Sequence, residues 1–290
     1  MSELTCISVI VPIFNGEQHI ERCINSLLNQ SFKKKIEIIL IDDASKDKSV
    51  ELIKRFNIPN LKFYSLTVNS GPAAARNLGI KKATGEFLFF LDVDDDISKN
   101  SLDELYTVAK SENCDFVCSD FKRIENSRNQ RENVYNYQTD INFDNKNLIG
   151  AMKKEVCDPT LGHLGLFGCN GRLIKRSIIS ENHILFEENF LFLEDKTFCW
   201  KVLGCVNRAI YIRKQLYSYY VYPNVKTQIT EFINRGWPME NFKIIKRIIE
   251  NSLKKKDVEK KEIDKISQQG LIFHIIQVLV STSRSIVLKK

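Results

Sequence analysis

The stretch FLFFLDVDDDIS, Phe87 to Ser98, sets an apolar run directly against four carboxylates, Asp92, Asp94, Asp95 and Asp96. Like charges at that density repel unless a cation or water lies among them. Asp92 and Asp94 flank one residue, and in extended backbone positions i and i+2 point to one face. A turn there brings both side chains toward one hard cation such as Mg2+ or Mn2+, which also bridges phosphates. Other readings compete. A calcium loop requires Gly where Ile97 stands, Glu where Asp103 stands, and a helix in front instead of a strand. A phosphatase nucleophile of the Asp-x-Asp type follows the first strand and precedes a small hydroxyl residue, whereas this motif follows a fourth strand and precedes Asp95. A solvated acidic turn is the default for an isolated motif, so the surrounding sequence decides.

A second acidic group stands in FLFLEDKTF, where Glu194 and Asp195 adjoin an apolar run. A free Asp, with a pKa of about 3.9, is ionised at neutral pH. It can still take a proton from a hydroxyl as charge develops on the attacking oxygen. The alternative is an acidic pair at a helix N-terminus, favoured by the helix dipole. Ser, Cys and His form no comparable constellation, so a covalent nucleophile is not expected.

These groups need elements to position them. ISVIVPIF (Ile7 to Phe14), IEIILID (Ile36 to Asp42), LKFYSL (Leu61 to Leu66) and EFLFFLD (Glu86 to Asp92) read as strands. Helical patterns separate them. Asn15 is expected to cap the first helix, with Ile20, Ile24, Leu27 and Leu28 on its buried face. Pro72 to Ala83 reads as a helix punctuated by Gly85, and Ser98 as the cap of a helix reaching about Lys110. CDFVCSD (Cys114 to Asp120) is a further strand, and the polar segment 124–147 reads as a long surface loop. The alternation implies a mostly parallel sheet covered on both faces, with ligands at the carboxyl ends of its strands. Phe14-Asn15, Asp42-Asp43 and Asp92-Val93-Asp94 are those ends. Asp42 is expected to brace its turn, and Asp95 and Asp96 to be turn and capping residues.

The chain has 290 residues, 43% hydrophobic and 27% charged, enough for one large α/β domain with an appendage. Its net charge is +7, and lysines crowd the C-terminal end, including Lys254, Lys255, Lys256, Lys260 and Lys261. That bias suits an anionic surface, but the basic residues lack the aromatic interleaving expected for nucleic acid. Eight cysteines at irregular spacing, with no Cys-x-x-Cys, read as reduced thiols of a cytoplasmic protein. Strand-like residues begin within the first ten positions, so no secretory leader is expected. After Phe232 the pattern is helical: Phe242, Ile245, Ile248 and Ile249 share a face, and GLIFHIIQVLV forms a second helix.

SVIVPIFNGE, IEIILIDDASKDKS, NSGPAAARNLGIKKATGEFLFFLDVDD and the later FLED together resemble the inverting glycosyltransferases of family 2. The match spans roughly residues 5–120 and, more loosely, reaches about 230. The resemblance implies a GT-A fold, a Rossmann-like mostly parallel α/β sheet flanked by helices, with a C-terminal helical extension. It implies a catalytic domain over 1–230, with a nucleotide-binding half (1–120) and an acceptor-side half (148–230), and the extension over 231–290. It also implies transfer of a sugar from a UDP-sugar to a glycan or lipid-linked glycan acceptor, aided by Mn2+ or Mg2+. By that resemblance Pro12 and Phe14 line the base slot, and Asp43 accepts from the uracil. Asn69 and Gly71 lie beside base and ribose. Arg76 holds the nucleotide end or serves architecture by pairing with Asp42 and Asp43. Asp94 is the direct metal ligand, Asp92 approaches ribose and metal shell, Asp195 is the base, and Glu194 binds acceptor or donor sugar. GCNGRLIKRSII resembles a recurrent segment of the family, with Arg172 where Lys is usual. The chain departs from the family at Tyr220, Tyr222 and Val225, where Arg, His and Ser are common, and Lys226 is the nearby substitute cation. The departure keeps a second reading open, a non-catalytic sugar-nucleotide-binding subunit. The expected location is the cytoplasm or the inner face of the plasma membrane, with the C-terminal helices resting on anionic lipid or pairing in a homodimer.

Overall fold

The computed structural model describes residues 4–56, 58–125, 129–131, 139–157, 166–190, 193–222 and 239–266. Strands β1 (Ile7–Ile13), β2 (Ile36–Asp42), β3 (Leu61–Ser65) and β4 (Phe87–Phe90) pair in parallel in the order β3-β2-β1-β4. Helices α1 (Ile20–Leu28), α2 (Ser49–Arg55) and α3 (Gly71–Lys82) connect them. The strand pleat sorts side chains between two apolar clusters. Val9, Val11 and Phe89 pack with Ile20, Cys23, Ile24 and Leu27 of α1, while Ile10, Leu88 and Phe90 pack with Ala73 and Ala75 of α3. Gly79 lets α3 lie close: a Cβ there would meet Ile10 Cγ2 at 2.3 Å. The β1–β4 ladder ends at Ile10 and Phe90, so Pro12, which lacks an N–H, stands beyond it and breaks no pairing with β4.

The chain then adds β5 (Asp96–Ile97), α4 (Ser101–Ser111), β6 (Phe116–Glu125), β7 (Asn129–Arg131), β8 (Ile141–Phe143) and α5 (Asn145–Cys157). It continues with β9 (Leu173–Lys175), α6 (Arg176–Glu181), α7 (Glu194–Leu203), β10 (Ala209–Val221) and α8 (Met239–Lys254). The sheet extends from β4 through β9, β6 and β10 to β5. β9 runs against both β4 and β6, and β10 runs with β6. Thus β3, β2, β1, β4, β6 and β10 share one direction, the mostly parallel arrangement expected.

Several local expectations are corrected. Asn15 does not cap α1. It sits at φ 51°, and its Oδ1 accepts from Lys46 N at 2.9 Å, tying the β1 loop to the β2 loop. Leu28 is exposed. Ser98 donates from Oγ to Gln215 O at 3.0 Å instead of capping α4, which begins only at Ser101 with Asn100 at its N-cap. The described parts of 124–147 are not all loop: β7 and β8 pair with β6 and β10. The apolar face of α8, Ile245, Ile248, Ile249 and Leu253, is spent in one core cluster with Phe198, Val202 and Leu203 of α7. Lys256 is internal at 5% exposure, donating to Val206 O and, at 2.7 Å, to Asn145 Oδ1. The second C-terminal helix lies outside the described residues beyond 266. Among the described residues no helix is long and apolar enough to cross a membrane.

At the amino edge of the sheet, Glu37 of β2 joins several elements. Its carboxylate accepts from Ser8 of β1 (2.5 Å), Lys62 of β3 (2.5 Å) and Thr84 N before β4 (2.6 Å).

Candidate active site

The carboxyl ends of β1 and β2 and the loop before α3 meet at one edge. Pro12 is buried there, Phe14 is 45% exposed and Asn69 is exposed. Asp43 is buried, and its two oxygens accept from Ser70 N (2.7 Å) and Gly71 N (2.8 Å), shaping the loop that starts α3. Asp42 braces its turn by accepting from Ser45 N and Ser65 Oγ. An exposed ring thus stands at one strand end and a carboxylate bound to a tight loop at the next.

Arg76, on α3 and only 4% exposed, joins the two acidic regions that are distant in sequence. Its Nη2 donates to Asp92 Oδ1 at 2.8 Å and its Nη1 to Glu194 Oε1 at 3.2 Å. The expected pairing with Asp42 and Asp43 is therefore replaced, because those two are engaged by their own loops. Asp92 Oδ2 accepts from Asn170 Nδ2 at 2.5 Å. Asn170 reaches it from the segment before β9, bridged to Phe90. The next residue, Gly171, takes φ +70°, and a Cβ there would meet the Tyr217 ring at 2.8 Å, so only glycine fits the turn.

Asp95 and Asp96 are neither simple turn residues nor caps. Asp95 is buried and accepts from Tyr217 OH (2.5 Å) and Tyr220 N (2.9 Å); Asp96 lies in β5 and accepts from Tyr220 OH (2.7 Å). Both anchor the end of β10. The Asp94 carboxylate has no such side-chain donor among the described residues. Burial, reinforced by Asp92, raises its pKa to about 6. Burial, then Asp92 and Asp94, pushes Asp95 well above the usual range. At the start of α7, burial and the adjoining Asp195 lift Glu194 to about 7, and burial raises Asp195 also. Asp195 keeps one oxygen on its neighbour's amide, Lys196 N, at 2.7 Å.

One ligand oxygen each from Asp92, Asp94 and Asp95 lies within 4.8 Å of the others. Asp92 and Asp95 already accept hydrogen bonds at both oxygens. The oxygen-only set, in which burial and like charge raise Asp94 and Asp95, fits a hard divalent cation at Asp94, with Asp92 behind it. Lys226 lies outside the described residues, as does Val225. Tyr220 and Tyr222 contact α1: the Arg22 guanidinium lies 3.7 Å over the Tyr220 ring, and its Nη2 donates to Tyr222 OH at 3.0 Å. Sequence reasoning gave no role to Asn170, Tyr217 or Arg22. Only the Gly-Cys-Asn-Gly run around Asn170 carried a local signal, a tight turn.

The fold is GT-A, an architecture of sugar-transferring enzymes. Residues 8–217 match the family model described as Glycosyl transferase family 2, and the chain belongs to that family. Over 271 residues it is 27% identical to poly(ribitol-phosphate) beta-N-acetylglucosaminyltransferase TarS of Staphylococcus aureus, covering 92% of this chain and 44% of TarS. It is 30% identical over 223 residues to the S. aureus enzyme of the same description, TarP, covering 75% of this chain and 63% of TarP. TarS 1–349 in complex with UDP-GlcNAc aligns with a TM-score of 0.73 at 25% identity, covering 92% of this chain and 72% of that one. The chain thus spans less than half the length of TarS. A mannosyltransferase from Pyrobaculum calidifontis, solved with GDP-Man and Mn2+, shares the fold at a TM-score of 0.56 and 16% identity, covering 99% of this chain and 81% of that one.

Proposed function

We propose that this chain is a metal-dependent inverting glycosyltransferase that moves a sugar from a UDP-sugar to an acceptor hydroxyl of a glycan or lipid-linked glycan. The observation that carries the reading is the Arg76 bridge: one buried guanidinium ties Asp92 of the carboxylate cluster to Glu194, next to Asp195. The candidate donor end and the acidic pair are therefore parts of one site. TarS, solved with UDP-GlcNAc, supports the nucleotide.

Phe14 and Pro12 form the base slot and Asp43 accepts from the base, with Asn69 and Gly71 at the ribose. Mn2+ or Mg2+, held by Asp94 with Asp92 outside it, would supply positive charge against the leaving diphosphate. Asp195 takes the proton from the attacking hydroxyl, and its raised pKa makes it a stronger base than a free Asp. Glu194, fixed by Arg76, faces donor or acceptor sugar, and Lys226 adds charge at the diphosphate end. We take 1–230 as the catalytic unit and 231–290 as an extension in which Lys254, Lys255, Lys260 and Lys261 are exposed and suit an anionic surface at the inner membrane face.

A panel of UDP-, GDP- and CDP-sugars incubated with Mn2+ tests this. Nucleotide release from a UDP-sugar, abolished by a chelator, is expected. Release from only GDP- or CDP-sugars would overturn the base-slot assignment, and sugar transfer by Asp195→Asn at wild-type rate would overturn the mechanism.

A further inference from the structure

We propose that Arg22, on α1, is a positioning residue for the metal ligand Asp94, seated by Tyr220 and Tyr222 of the β10 end; the proposal rests on the metal-binding reading above. Arg22 Nη2 donates to the main-chain oxygen of Asp94 and, at 3.0 Å, to Tyr222 OH. The flat face of its guanidinium lies 3.7 Å over the Tyr220 ring, and its Nε stands 3.6 Å from Asp96 Oδ2. His19, at the N-cap of α1, packs on Tyr222 with ring centroids 4.8 Å apart, its Nδ1 3.4 Å from the phenol oxygen. A planar fork held by a carbonyl, a phenol and a ring face has little rotational freedom left.

What the fork holds is the member of the acidic group whose carboxylate accepts no side-chain hydrogen bond among the described residues. Asp92 and Asp95 are each fixed through both carboxylate oxygens. Asp94 is held by its peptide carbonyl, which receives Arg22 and, at 3.5 Å, Tyr222 OH. Its carboxylate stays available to a cation while its backbone is pinned to α1. Metal ligands need such outer support, because small displacements of a ligand weaken binding.

Charge and placement predict opposite signs. A guanidinium beside a cation site repels the cation, so if Arg22 were only a neighbouring charge, its removal would tighten metal binding. If it positions Asp94, removal weakens binding.

The experiment titrates Mn2+ into the full chain without nucleotide, following free Mn2+ by electron paramagnetic resonance. Arg22→Ala is expected to weaken Mn2+ affinity by about tenfold or more. Arg22→Lys keeps the charge but loses the planar fork, and is expected to weaken binding nearly as much. Tyr222→Phe keeps the ring and removes the hydroxyl that accepts from Arg22 and reaches Asp94 O, for a loss of roughly twofold to fivefold. Unchanged or tighter binding in Arg22→Ala, or full rescue by Arg22→Lys, overturns the proposal. Should Arg22→Ala fail to fold by circular dichroism, Arg22→Lys and Tyr222→Phe decide on the same criterion. Absence of Mn2+ uptake by the wild-type chain overturns the metal reading itself, and the proposal with it.

Discussion

The two edges of one sheet bury carboxylates to opposite ends. At the amino edge Glu37 is 2% exposed, and burial alone would raise its pKa. Hydrogen bonds from Lys62, Ser8 and Thr84 outweigh burial and hold it below the usual range. At the carboxyl edge Asp94 is raised to about 6, because burial and Asp92 outweigh Arg22 and Arg76. The residue class and the sheet are the same; the difference is the supply of donors. A carboxylate whose donors come from two strands and a turn is an architectural joint. One held by its backbone, with like charges nearby, suits the cation site proposed above.

The contrast can be broken by substitution. The largest effect is expected from Asp195→Asn, which removes the proposed base: sugar transfer should fall by roughly 10³- to 10⁴-fold with UDP affinity retained, read by turnover and calorimetry. Asp94→Ala should lower metal-dependent UDP release by roughly 10³-fold, the loss of several kcal/mol of charge stabilisation. Its melting temperature in chelator should not fall, since a half-buried charge beside Asp92 is removed. Glu37→Gln should do the reverse, lowering stability by about 2–3 kcal/mol in a denaturant titration while leaving UDP binding intact. If both substitutions lower stability alike, the two edges do not differ as argued.

The smallest effect is a pH slope. Asp94 is raised from 3.8 to about 6, so between those values the folded chain keeps a proton that the unfolded chain has lost. Stability of the metal-free protein should therefore fall as pH rises through that window. Glu37 has the opposite sign: its lowered pKa gives stability that is present above the unfolded value near 4.5 and is lost as pH falls through the folded value. Thermal melts in chelator across this range should lose the first slope in Asp94→Asn and the second in Glu37→Gln.

Much of the strand framework was legible because its signal is local. β1, β2 and β4 are largely apolar, and the polar residues that end them mark the carboxyl edge of the sheet. The Asp92–Asp94 pair and Glu194–Asp195 stood out for the same reason, as carboxylates abutting apolar runs. The caps at Asn15 and Ser98 were misread because each side chain found a distant partner, at Lys46 and Gln215, that outcompeted its own helix. Arg76 was recognised, but its partners were not. Glu194 lies 118 positions away, and no periodicity links them. Asn170, 78 positions from Asp92, carried only a turn signal.

By itself the sequence determined the alternation of strands and helices and the carboxylates that end the strands at one edge of the sheet, since each follows from residue type and local spacing. Only the tertiary structure decided which of those carboxylates are held and which is left available. Aspartates 92, 94, 95 and 96 are chemically identical in the chain. They diverge because Arg76, Asn170, Tyr217 and Tyr220 are carried to Asp92, Asp95 and Asp96 by remote elements, while Arg22 takes only the backbone of Asp94. Donor supply across long sequence separation is a property of packing, and no local pattern encodes it.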